Sequence, residues 1–130
     1  MHFLVGYNGS EAAKSALSLA RDHAKRFEAK VSVLVSMEGG PTEKFDDITK
    51  AETDITYAKE FLAEASVQCE AHQLARGLTP AEDLVMFAEE NDIDQIFVGI
   101  EKKSKTRKLL LGSTAQYVIL KAPCPVVTIK

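Results

Sequence analysis

A chain of 130 residues is near the commonest single-domain size and too short for two full hydrophobic cores. Its 45% hydrophobic and 27% charged residues are ordinary for a globular domain and exclude disordered, collagen-like and coiled-coil classes. A formal net charge of -3 gives no overall pull toward nucleic acid or an anionic membrane, so charge has to be weighed locally.

Five short apolar runs alternate with four helix-period segments, the pattern of parallel strands joined by crossover helices in an α/β domain spanning 1–130. The first strand is Phe3 to Gly6, followed by the turn dipeptide Asn8-Gly9 and an N-cap at Ser10. The helix after it runs to about Phe27 and places Ala13, Ala16, Leu17, Ala20, Ala24 and Phe27 on one face. Val31 to Val35, rich in β-branched residues and free of charge, reads as a strand covered on both faces. Gly39-Gly40-Pro41 breaks the chain. A long second helix then carries Ile48, Ala51, Ile55, Ala58, Leu62, Ala65 and Cys69 at alternating spacings of three and four.

The third strand, about Ala71 to Ala75, holds His72 and Gln73 and is the most polar of the five, which suits an edge. Thr79-Pro80-Ala81-Glu82 combines an N-cap, a proline at the first helical position and a reciprocal glutamate, so the third helix starts there and ends near Asn91. Ile96 to Gly99 is a second central strand. The fourth helix opens at Ser113, where Ser113 to Gln116 reads as another capping box, with Ala115, Val118, Ile119 and Ala122 facing inward. Val126 to Ile129 forms the last strand, near an edge.

Open α/β sheets bind ligands outside the carboxyl ends of their strands, which directs attention to Tyr7 to Ser10, Ser36 to Glu38 and Ile100 to Gly112. The last of these places Lys102, Lys103, Lys105, Arg107 and Lys108 within seven positions. Five of the sixteen basic residues thus sit together, leaving eleven against nineteen acidic groups elsewhere. Gly112-Ser113 then opens a helix whose free N–H groups and dipole attract an anion. Separately, a capping serine and a solvated basic loop are ordinary. Adjacent at the end of a central strand, they point to phosphate.

Familiar phosphate motifs are missing: there is no Walker glycine run, and Gly6-x-x-Gly9 is no dinucleotide fingerprint. Acidic residues of a phosphoacceptor domain are not at the strand ends. Cys69-x-x-His72 is at most half a zinc site. No hydrolytic triad can be assembled and Gly-x-Ser-x-Gly is absent, so any activity would be limited to slow nucleotide hydrolysis aided by the basic loop. The opening Met1 to Val5 lacks a basic signal-peptide start and no window approaches the roughly 20 apolar residues of a membrane span, so a cytoplasmic protein is expected.

Val5-Gly6-Tyr7-Asn8-Gly9-Ser10-Glu11, together with Leu109 to Ser113 and Pro123 to Val127, resembles the universal stress protein family, with the likeness spanning essentially the whole chain. Members of that family that bind ATP carry Gly-x-x-Gly, nine residues, then Gly-Ser/Thr. Gly99, Gly112 and Ser113 match with unbroken spacing, while Lys102 stands at the second glycine. The resemblance implies a five-stranded parallel sheet of order 3-2-1-4-5 with helices on both faces. It further implies a homodimer paired through Val126, Val127, Thr128 and Ile129, and a role in stress survival or signalling rather than defined catalysis. An apolar edge strand independently needs covering.

The same resemblance gives a nucleotide site of Asn8, Ser36, Gly99, Lys102, Gly112, Ser113 and Thr114, with any Mg arriving with ATP. Asn8 and Ser36 would face the base, Gly99 and Lys102 would border ribose and phosphates, and Gly112, Ser113 and Thr114 would donate to the phosphates. Asn8 replaces the family's adenine-contacting aspartate, keeping an acceptor at a cost of about 1 kcal/mol. Lys102 in place of glycine adds roughly 1–2 kcal/mol if a left-handed backbone is needed there. Ile100, Glu101 and Ser36 also depart from the family pattern. Together such terms reach about 3 kcal/mol, roughly a hundredfold in affinity. Two functions therefore stand side by side: an adenine nucleotide or anion-binding module, and a dimeric protein-interaction module without ATP.

Overall fold

A computed structural model describes residues 1–36, 45–100 and 111–130. Its elements are β1 (His2–Gly6), α1 (Glu11–Phe27), β2 (Lys30–Ser36), α2 (Phe45–Ala63), β3 (Cys69–Leu74), α3 (Pro80–Glu90), β4 (Gln95–Gly99), α4 (Ser113–Lys121) and β5 (Val126–Ile129). The five strands form one parallel sheet in the order β3-β2-β1-β4-β5, as the resemblance implied.

Period-two alternation in the central strands divides the core between the two sheet faces. Phe3, Val5, Val31, Val33, Val35 and Phe97 point toward the alanine face of α1 and toward Ala51, Ala58 and Leu62 of α2. Leu4, Leu34, Ile96 and Val98 point the other way, onto Leu84, Val85 and Ala88 of α3 and Val118 of α4. The small alanines at 13, 16, 20 and 24 let α1 lie close on the sheet. β3 is an edge strand with no fully buried residue, which its His72 and Gln73 anticipated.

Local signals placed several boundaries. Ser10 caps α1 by accepting from the Ala13 N–H at 3.1 Å, and Thr79 and Glu82 form the reciprocal capping box of α3. Four readings need correction. The seam through Ala65 and Cys69 outruns its helix: α2 ends at Ala63, Ser66 turns left-handed at φ 58°, the Val67 N–H bonds back to the Leu62 carbonyl, and Cys69 begins β3. Phe27 and Ile119, read as inward-facing, are 57% and 43% exposed. At α4 the cap is Gly112 with no side-chain bond, while the Gln116 amide donates to the Leu111 carbonyl, so Ser113 to Gln116 is not a capping box. β3 also begins earlier than expected, at Cys69, and ends at Leu74. Gly39-Gly40-Pro41 and the basic run Lys102 to Lys108 lie outside the described residues.

Candidate functional site

The carboxyl ends of β1, β2 and β4 border a cleft of about 210 Å³. Asn8, Ser36, Gly99, Gly112, Ser113 and Thr114 all line it, so six of the seven residues picked from the sequence come together. The seventh, Lys102, lies outside the described residues. The cleft is smaller than the roughly 300–1,000 Å³ of pockets that engulf a drug-sized ligand.

β1 supplies the floor. Its turn is braced by α2: the Lys50 ammonium donates to the Asn8 carbonyl at 2.6 Å and to Asp54 Oδ2 at 2.8 Å. The Asn8 side-chain oxygen accepts from the Ser10 N–H at 3.0 Å, an Asx turn that leads the chain into α1. Gly9 is favoured there by a φ of 79°, and a Cβ would also crowd Asp54 Oδ1 at 2.7 Å. Tyr7 is buried beside this turn. Burial, reinforced by the Asp54 carboxylate, pushes its phenol up to about 12, so it stays neutral.

Apolar walls come from Leu34, Leu84 and Val98, with Ala13 and Pro80 at the margins. None of these was picked from the sequence as a site residue, although the inward alternation of the central strands contains Leu34 and Val98. At the β2 side, Ser36 donates its hydroxyl to Asp83 Oδ2, a close contact. Asp83 has no solvent exposure, and its other oxygen accepts from Arg76 Nε at 3.1 Å. Arg76 reaches on to Glu90 Oε1 at 3.3 Å. Ser36 and Asp83 lie on different elements, and their contact had no local signal.

Across the cleft, Gly112 and Ser113 present the start of α4. The helix has nine residues, no acidic residue in its first turn and no side-chain cap, so its leading N–H groups have no side-chain oxygen at the cap. The two glycines flanking residues 101–110 differ in kind. A Cβ on Gly99 would come 2.3 Å from the Ala12 carbonyl carbon and oxygen, so its glycine is set by α1 packing. Among the described residues, a Cβ on Gly112 would meet nothing within 4 Å. Among the described residues no group of His, Cys, Asp and Glu is placed to hold a metal ion, and no helix is long and apolar enough to cross a membrane.

A sequence profile described as the Universal stress protein family matches residues 1–130. A universal stress protein of Methanocaldococcus jannaschii is 30% identical over 138 residues, covering 98% of this chain and 80% of that protein. Among solved structures, a universal stress protein from Archaeoglobus fulgidus superposes with a TM-score of 0.92 at 37% identity, covering 100% of this chain and 98% of the other. The structure of the universal stress protein from Archaeoglobus fulgidus in complex with dAMP gives a TM-score of 0.86 at 34% identity, again covering 100% and 98% of the two chains.

Proposed function

Since the chain belongs to the universal stress protein family, we propose that it binds an adenine nucleotide in the cleft at the ends of β1, β2 and β4, as a stress-response module rather than a defined catalyst. The observation that carries this reading is the pairing of Gly112, a glycine that no contact among the described residues demands, with a start of α4 that has no side-chain cap. Open space beside the start of a helix is what a phosphate needs. The match to a solved relative in complex with dAMP supports the same class of ligand.

β2 and β4 flank β1, so their ends stand two strand spacings apart, about 10 Å. A base would lie at the Ser36 side of the cleft and the phosphates at Gly112, Ser113 and Thr114. The Asn8 side-chain oxygen accepts from the Ser10 N–H, leaving its NH2 group and the oxygen's second lone pair for a ligand. Gly99 keeps α1 close and thereby shapes the cleft. Lys102 would add positive charge near the phosphates, and Mg would enter with ATP. Isothermal titration of nucleotide-stripped protein with Mg-ATP and AMP tests the reading, run beside Lys102→Gly. Binding by the native protein is expected; failure of both nucleotides on both proteins contradicts it.

A second reading rests on a different surface. β5 is an edge strand whose Val126, Val127 and Ile129 are half-buried, and Ile119 and Leu120 of adjoining α4 are 43% and 79% exposed. Edge pairing with a second copy through Val126, Val127, Thr128 and Ile129 would cover them. The family member would then also act as a dimeric interaction module. Light scattering at micromolar concentration is expected to give twice the monomer mass; a monomer mass overturns the dimer.

A further inference from the structure

The floor of the cleft is held from a helix that supplies none of the lining among the described residues. Lys50, Asp54 and Tyr57 fall at i, i+4 and i+7 on α2, so they share one face, and that face meets the β1 turn. The Tyr57 ring packs 5.9 Å from that of Tyr7, and the Lys50 ammonium donates at 2.6 Å to the Asn8 carbonyl. Asp54, only 8% exposed, pairs with that ammonium at 2.8 Å. The carboxylate thus fixes where the ammonium sits. The ammonium in turn fixes the carbonyl of a residue that lines the cleft and that falls between β1 and α1, in neither element.

We propose that Lys50, seated by Asp54, is a positioning residue for the cleft, so that ligand affinity depends on an α2 side chain that does not line the site. This rests on the nucleotide reading above and names what holds the floor of that site in place. A group that meets a ligand keeps its direction only when the residues behind it are themselves held. Without the ammonium the Asn8 carbonyl loses its donor, and the turn of Asn8, Gly9 and Ser10 gains freedom that binding must remove again, which weakens affinity. Two other effects of Lys50 are separable from this one. Its charge also attracts an anion, but salt screens that attraction and leaves positioning alone. Its removal also strands the buried Asp54 carboxylate, which lowers stability in its own right.

The test is calorimetric titration with AMP, paired with thermal melting, on the native protein, on Lys50→Met and on the double variant Lys50→Met with Asp54→Asn. Lys50→Met should weaken AMP binding about fivefold or more, and by the same factor at about 0.5 M salt as at low salt. The double variant separates affinity from stability, because it removes the stranded carboxylate along with the ammonium. It should regain whatever melting temperature Lys50→Met loses and still bind AMP as weakly as Lys50→Met, a combination that a merely structural role would not produce. If Lys50→Met does not fold, the double variant decides alone. Three results overturn the inference while leaving nucleotide binding intact: affinity within about twofold of native in the variants, affinity that returns together with stability in the double variant, or a loss that disappears at high salt. Absence of AMP binding by the native protein overturns both.

Discussion

Gly99 and Gly112 stand on either side of residues 101–110 and look equivalent in the sequence, but the protein uses them oppositely. Gly99 is pressed against the backbone of α1 at Ala12, where a methyl group has no room. Gly112 meets no described residue at its Cβ position and has an ordinary extended backbone, φ -61° and ψ 158°, that any residue adopts. One glycine is demanded by packing. The other meets no such demand from the described residues, and α4 starts beside it without a side-chain cap.

That contrast makes graded predictions. Gly99→Ala should have the largest effect: overpacking against rigid backbone typically costs about 1–3 kcal/mol and can exceed that, and at 2.3 Å the upper end is expected in urea denaturation. A loss under about 1 kcal/mol would mean that α1 can move away, and the contrast would fail. Next in size is Thr79→Ala, which removes a complete capping box at the other cleft-side helix and should cost about 1 kcal/mol in the same measurement. Compared with α4, which has no side-chain cap to lose, this calibrates what a filled helix start contributes.

The smallest effect is at the opposite end of the sheet. His2 shares a 2.6 Å hydrogen bond with buried Ser32, and burial followed by the nearby Lys30 ammonium lowers its basicity below the usual 6.5. A folded-state value below the unfolded one means that the unfolded chain binds more protons. Stability is thus fully present above pH 6.5 and falls as pH drops below it toward the folded value. Thermal melts between pH 7.5 and 5.5 should show a steeper decline in the native protein than in His2→Gln. Parallel curves would place the pH response elsewhere.

Much of the fold was legible because its signals are local: the apolar runs of β1, β2 and β4, the cap at Ser10 and the box at Thr79. The end of α2 was not, because Ser66 takes a left-handed conformation without being glycine and the apolar seam runs on through Ala65 and Cys69. That Asn8, Ser36, Gly99, Gly112, Ser113 and Thr114 would share one cleft was legible because it follows from the strand ends. Their reasons were less so. The Asp83 contact that orients Ser36 joins elements far apart in sequence, and the helix wall that fixes Gly99 appears only once the chain is folded.

The most direct test of the central claim is Gly112→Asp, followed by thermal melting and by calorimetric titration with AMP. Aspartate is a strong N-cap and favours a helix start, so the variant should melt at or above the native temperature. The same carboxylate would occupy and repel the phosphate position, so AMP affinity should fall at least tenfold. A variant that binds AMP as tightly as the native protein would contradict the account.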